Sequence, residues 1–177
     1  MSAEDEVLLR ARRFTVVRHT RQLPGGGQVI RETVQHPGAV AILPLLADGR
    51  ICLIRNHRVA VGRTLIELPA GTLEPNEEPL QTAARELAEE TGYQAAKMER
   101  LCEFFMSPGI LNERMILFLA TGLTPGTAHR EPGEEIENFV VDWDEALRMM
   151  RDGEIQDAKS LVGLLYYGAF RTVPPAA

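Results

Sequence analysis

The chain has 177 residues, enough for one domain, or one domain with a small appendage, and too few for two full-sized cores. Apolar residues make up 45% and charged residues 25%, a globular balance that excludes disordered, collagen-like and coiled-coil classes. The net charge is −6, with 17 arginines and 2 lysines, so there is no electrostatic footprint for duplex nucleic acid. An anionic substrate would need local arginines or a metal cation to offset that field. The longest apolar run, residues 39–47 with Pro44 inside it, falls short of the roughly 20 residues of a bilayer-spanning helix. The acidic start MSAEDEVLLRARRF is no signal peptide, so a cytoplasmic protein without a membrane partner is expected. Cys52 and Cys102 form no CxxC and are expected as reduced thiols. His19, His36, His57 and His129 show no zinc-ligand spacing.

Residues 14–17 and 29–34 read as strands of a β-hairpin around the glycine turn of residues 23–28. Residues 39–46 form a continuous apolar strand candidate, returned through Asp48-Gly49 to a strand over 50–54. Residues 65–68 form a short strand stopped by Pro69. Residues 101–106 and 114–120 read as a strand pair about Ser107-Pro108-Gly109, and 139–141 as a last strand. Three helices are expected. The first covers about 79–91, ends at Gly92 and buries Leu80, Ala83, Ala84 and Leu87. The second starts at an Asp144 cap and runs through Met150. The third is capped by Asp157 and buries Leu161, Leu164 and Leu165. Strands and helices mixed in this order predict an α/β domain with a mixed sheet over 37–177, preceded by a hairpin appendage over 1–36.

Chemistry concentrates between Leu68 and Tyr93. Glu86, Glu89 and Glu90 sit at i, i+3 and i+4, so they share one helix face, opposite the apolar set. Three clustered carboxylates repel, and a hard divalent cation relieves them. Oxygen ligands select Mg²⁺ or Mn²⁺, which take one or two carboxylates and leave room for water and substrate phosphates. Taken alone, such a run is an ordinary solvated helix face with Arg85 paired to Glu89.

The surroundings change that reading. Gly71 is followed after five residues by Glu77, after seven more by Arg85-Glu86-Leu87, then by Glu89-Glu90 and Gly92-Tyr93. This resembles the Nudix box, G-x5-E-x7-R-E-U-x-E-E-x-G-U with U bulky and apolar, at every defined position. The resemblance implies an α/β/α sandwich around a mixed sheet and hydrolysis of a nucleoside diphosphate linked to another moiety. It assigns Glu86 and Glu90 as principal metal ligands with Glu89 beside them, Arg85 as the residue that orients them, and Glu77 as a brace for the helix. The implied cofactor is Mg²⁺, with Mn²⁺ an alternative.

Outside the box, the segments 35–40, 67–71, 107–109 and 157–159 look like the ADP-ribose pyrophosphatase branch, with Pro108 at its characteristic distance past the box. The similarity runs from about Phe14 to Leu165. It implies that the Ala70 carbonyl binds metal, that Arg58 contacts substrate phosphate, that Glu113 contacts the terminal ribose, and that Glu67 and Phe14 belong to the substrate-binding set. The branch adds a catalytic glutamate from a late loop, here Glu134 or Glu135, with a box glutamate as a third option for the base. Glu134 would also join the metal. The hairpin is implied to pack on a second subunit, giving a homodimer. The expected reaction splits ADP-ribose into AMP and ribose 5-phosphate. Alternatives are the same chemistry on another nucleoside diphosphate sugar, such as GDP-mannose or an ADP-sugar, a non-catalytic nucleotide sensor, and hydrolysis of oxidised nucleoside triphosphates.

Overall fold

The first eight described residues already depart from the expected hairpin. A computed structural model describes residues 3–130 and 135–170. In it β1 (Ala3–Arg10), β2 (Thr15–Gln22) and β3 (Gln28–Gln35) form an antiparallel three-stranded ribbon. Gly25, Gly26 and Gly27 carry the β2–β3 turn with φ of +94°, +99° and +86°, a region that a Cβ makes costly. The added strand, β1, begins Ala-Glu-Asp-Glu, so local propensity does not announce it. Its pairing with β2 runs from Ala3↔Arg21 to Arg10↔Thr15.

The centre of the fold is β4 (Ala39–Pro44), buried along its whole length. It runs parallel to β9 (Leu111–Thr124) and antiparallel to the short β7 (Ala70–Thr72). β8 (Gln94–Ser107) pairs antiparallel with β9. The N-terminal ribbon joins the same sheet through a parallel bridge, Val34↔Leu111. Seven strands thus form one mixed sheet. A second, antiparallel sheet has β10 (Ile136–Val141), β5 (Ile51–Arg58) and β6 (Arg63–Glu67), in that order. A single 3-10 turn, Val59–Val61, links β5 to β6. The sequence reading had one sheet. It could not separate two, because strand partners are set by tertiary pairing that local pattern does not encode.

Helices cover both faces of the larger sheet, as the period of two along β4 requires. Ala39, Ala41 and Leu43 pack with Met115, Leu117 and Leu119 against α2 (Trp143–Arg151) and α3 (Ala158–Phe170), through Ala146, Met149, Leu164 and Tyr167. Val40 and Ile42 pack with Ile116 and Phe118 against α1 (Pro79–Thr91), through Ala83 and Leu87. This is the expected α/β/α sandwich. Among the described residues no helix is long and apolar enough to cross a membrane.

Three local expectations need correction. Leu80 and Ala84 of α1 are exposed, and the buried positions are Thr82, Ala83, Leu87, Glu90 and Thr91. In α3, Leu165 is exposed and Tyr167 is buried instead, against Trp143. The cap residue of α2 is Asp142, directly after β10, so the helix starts at Trp143 and not after Asp144. The Asp157 cap of α3 forms as expected, with the Ser160 N–H donating to its carboxylate at 3.0 Å.

Candidate active site

α1 is delimited by its own sequence. Pro79 occupies the first turn, where a missing N–H costs nothing, and Glu78 and Gln81 form a reciprocal capping box. At the other end Gly92 adopts φ +79° and its N–H caps the Ala88 carbonyl at 2.9 Å. The last two turns between these stops carry Arg85, Glu86, Glu89 and Glu90.

One guanidinium organises the carboxylates. Arg85 Nε and NH2 donate to the two oxygens of Glu77 at 3.0 and 3.1 Å, while NH1 donates to Glu86 Oε1 at 2.8 Å and Glu89 Oε2 at 2.9 Å. A planar fork can hold a bidentate partner on one edge and bridge two others at a corner, which an ammonium cannot do. Glu77 raises the Arg85 pKa far above its usual value, with Glu86 and Glu89 adding to the effect. Arg85 in turn holds the Glu77 carboxyl below the ordinary range.

Glu90 is held differently. It is 4% exposed, on the buried side of α1 and not on an outward face as expected from spacing alone. Its Oε2 accepts the Ala70 N–H at 2.9 Å. This bond ties the helix to the segment whose next carbonyl, that of Ala70, the family resemblance implies as a metal donor. Gly71 sits against Glu86 so closely that an added β-carbon would lie 1.9 Å from its carboxylate carbon.

Apart from Glu77, these groups line one cleft of about 1010 Å³. Of the expected site residues, Phe14, Arg58, Glu67, Ala70, Arg85, Glu86, Glu89, Glu90 and Glu113 all reach it. Glu135 is exposed and is not among the lining residues. Its carbonyl accepts the His57 N–H at 3.3 Å. Glu134 lies outside the described residues.

Arg58, Leu65 and Glu67 share the face of the β5–β6 ribbon that borders the cleft. Arg58 donates from Nε and NH2 to the two oxygens of Glu67 at 2.8 and 2.5 Å. Glu67 is 1% exposed. Burial pushes its carboxyl up, but Arg58 and Lys159 outweigh that and hold it below the ordinary range. Glu67 therefore borders the cleft with its oxygens already engaged. Phe14 sits in the β1–β2 turn, half-exposed beside Arg12 and Arg13. Glu113 Oε1 lies 3.5 Å from His36 Nδ1.

Lys159, Asp157, Arg12, Arg13 and Asn112 also line the cleft; the sequence marked Asp157 only as a helix cap and segment 157–159 only as part of the resemblance, and gave none of the five a role at the site. A signal was present for Lys159. It is one of two lysines beside 17 arginines, and it stands in the first turn of a helix with no other charged residue.

A three-layer α/β/α fold whose first helix presents an arginine-braced glutamate cluster behind a glycine-bearing loop defines the Nudix class of hydrolases. The NUDIX domain model matches residues 34–162. The chain belongs to the Nudix family and is a Nudix hydrolase. It is 41% identical over 147 residues to an ADP-ribose pyrophosphatase of Bacillus subtilis, covering 82% of this chain and 80% of that one. It is 39% identical over 163 residues to an ADP-ribose pyrophosphatase of Mycobacterium tuberculosis, covering 90% and 78%. A GDP-mannose pyrophosphatase of an Enterobacter species is 34% identical, covering 85% and 78%. Among solved structures, one titled as an ADP compounds hydrolase superposes with a TM-score of 0.82 over 97% of this chain and 96% of that one, at 22% identity.

Proposed function

We propose that this protein hydrolyses the diphosphate bond of ADP-ribose, giving AMP and ribose 5-phosphate, with Mg²⁺ as its working cation and Mn²⁺ able to replace it. The observation that carries the reading is the shared cleft. The α1 carboxylates, the Ala70 segment and the Arg58 guanidinium border a single cavity with Phe14 and Glu113, a set suited to a diphosphate flanked by a base and a sugar. The two ADP-ribose pyrophosphatases at 39–41% identity support the choice of substrate.

The donor set suits a hard cation. Glu86, Glu89, Glu90 and the Ala70 carbonyl would hold it, and all are oxygen donors. Among the described residues no group of three or more His, Cys, Asp or Glu side chains is placed to hold a metal ion by itself, so the cation would need the Ala70 carbonyl, water and substrate phosphate to complete its shell. When bound, the cation polarises phosphate oxygens and lowers the pKa of a water.

The chain's own groups do the remainder. Arg58 holds a phosphate oxygen and offsets its charge. Arg85 keeps Glu86 and Glu89 fixed. A carboxylate takes the proton of the attacking water as that water's oxygen bonds to phosphorus. The bridging P–O bond breaks, and its electron pair leaves with the departing phosphate. Glu89 and Glu134 are the candidates for this base, and E89Q and E134Q separate them by their loss of kcat. Phe14 stacks on the base, and Glu113 accepts hydrogen bonds from the terminal ribose. Glu67 serves the substrate through Arg58.

We assign the assembly as a homodimer. β1 is the outermost strand of the large sheet, and Val7, Leu8 and Leu9 on it are exposed. An apolar edge strand is a ready template for pairing. Sedimentation showing monomer alone at micromolar concentration overturns this assignment. The two free cysteines suit a reducing compartment.

The deciding experiment is a product assay with Mg²⁺ over ADP-ribose, GDP-mannose, ADP-glucose and a dinucleoside polyphosphate. AMP and ribose 5-phosphate formed fastest from ADP-ribose, and abolished by chelator, are expected. Fastest turnover of GDP-mannose would instead favour the second reading, which the Enterobacter relative supports. Tight binding without turnover would indicate a sensor.

A further inference from the structure

Lys159 is a buried cation in an unfavourable position. It stands in the first turn of α3, where the helix dipole is positive and disfavours a cation, and it is 5% exposed. A buried ammonium is costly unless its partners are well placed. Its partners are two carboxylates. Lys159 Nζ donates to Glu67 Oε2 at 2.5 Å and lies 2.9 Å from Asp157 Oδ2.

The contacts continue in both directions. Glu67 grips the Nε–NH2 edge of Arg58, which among the described residues leaves the NH1 corner for a ligand in the cleft. Asp157 accepts from the Ser160 N–H at 3.0 Å and the Ser160 hydroxyl at 2.6 Å. The Leu68 N–H donates to that same hydroxyl oxygen at 2.7 Å. Leu68 lies two residues before Ala70, whose N–H holds Glu90. A single polar chain therefore runs from Arg58 to the segment that carries Ala70, and Lys159 is the link that bridges its two carboxylates. Two cations and two anions make the cluster neutral. Without the ammonium, Glu67 and Asp157 would leave a net negative charge beside the cleft, where a diphosphate has to sit.

We propose that Lys159 is a positioning residue for the substrate diphosphate: it locks Glu67, and Glu67 aims Arg58. This rests on the reading of Arg58 as a phosphate contact. Neutral side chains at 67 and 159 together would fill the same space without a buried ion pair, so stability alone does not call for the pair.

The test is a double-mutant cycle between R58A and K159M, read as ADP-ribose affinity by calorimetry in EDTA, where no hydrolysis occurs. Each single variant is expected to weaken binding by about tenfold, and the double variant no further than R58A alone, because both act through one guanidinium. Steady-state kinetics on the holoenzyme should show KM raised about tenfold with kcat changed less, and K159R should recover part of the loss. The variant E67Q/K159M removes the buried carboxylate and ammonium together, so it stays folded where K159M fails. It is expected to bind as weakly as R58A. Additive effects in the cycle, or wild-type affinity in E67Q/K159M, overturn the role of Lys159 while leaving Arg58 in place. Wild-type affinity in R58A overturns the phosphate assignment itself and this proposal with it.

Discussion

The α-carbon of Gly71 lies against the Glu86 side chain so closely that a β-carbon there would sit 1.9 Å from the Glu86 carboxylate carbon and 2.3 Å from its Cγ. No heavy-atom contact of that length exists, so any side chain at 71 must displace Glu86 or the strand. β7 is held by its pairing with β4, including Val40↔Gly71, and β4 is fully buried. The carboxylate is the softer of the two and will move. G71A is therefore expected to fold and to lose activity by about a hundredfold, the order reached when a catalytic group is misplaced by about 1 Å. Thermal melting with kcat measured on the same preparation checks this. An active G71A would mean that Glu86 is not required where it stands.

Substituting the carboxylates themselves separates charge from shape. Gln at position 86 or 90 keeps the volume, and at 90 it keeps an oxygen that can accept the Ala70 N–H. E86Q and E90Q are expected to melt near the wild type and to lose kcat by two orders of magnitude or more, roughly 3 kcal/mol of transition-state stabilisation. Full activity in E86Q/E90Q would remove α1 from the active site.

How much of this was readable beforehand depends on the range of the interaction. The bounds of α1 were legible because Pro79 and Gly92 are local stop signals; the Glu78–Gln81 box that also caps it emerged only in the structure. The glutamate cluster was legible because i, i+3 and i+4 spacing sets its face. The burial of Glu90 was not, since it depends on the Ala70 N–H, 20 residues away. β1 was missed because its first half is acidic and its pairing with β2 supplies what propensity lacks. The Lys159–Glu67 bond joins residues 92 positions apart, and no periodicity in one chain reports such a partner. The late-loop glutamates divide in the same way. Their acidic composition was visible, but the placement of Glu135 outside the cleft lining is a matter of tertiary path.

Acid sensitivity follows from two carboxyls. Glu77 and Glu67 both have folded pKa values below the usual 4.5, Glu77 because of Arg85 and Glu67 because Arg58 and Lys159 outweigh its burial. A depressed folded value means the native state favours the ionised form. The stabilisation is complete above about pH 4.5 and is lost as pH falls through the folded values. The melting temperature is expected to be level near neutrality and to fall steeply below about pH 4.5, with a shallower fall in E77Q. A profile for E77Q parallel to the wild type down to pH 3 would show that Glu77 contributes nothing to acid stability.

Arg85 and Arg58 are both cleft arginines, and kinetics should tell them apart. Arg85 spends its donors on Glu77, Glu86 and Glu89, so it serves the carboxylates. In the proposed function Arg58 serves the substrate, through the corner that Glu67 does not grip. Lysine at 85 retains the charge but has no planar fork, and it cannot hold Glu77 on one edge while bridging Glu86 and Glu89 at another. R85K is expected to lower kcat by about tenfold to a hundredfold with little change in KM, because the group it disturbs acts on the reacting phosphate and not on ground-state binding. R58A is expected to show the reverse, a raised KM with a smaller loss of kcat. Initial-rate curves for ADP-ribose at saturating Mg²⁺ measure both. If R85K raised KM and left kcat intact, Arg85 would have to be moved from the carboxylates to the substrate.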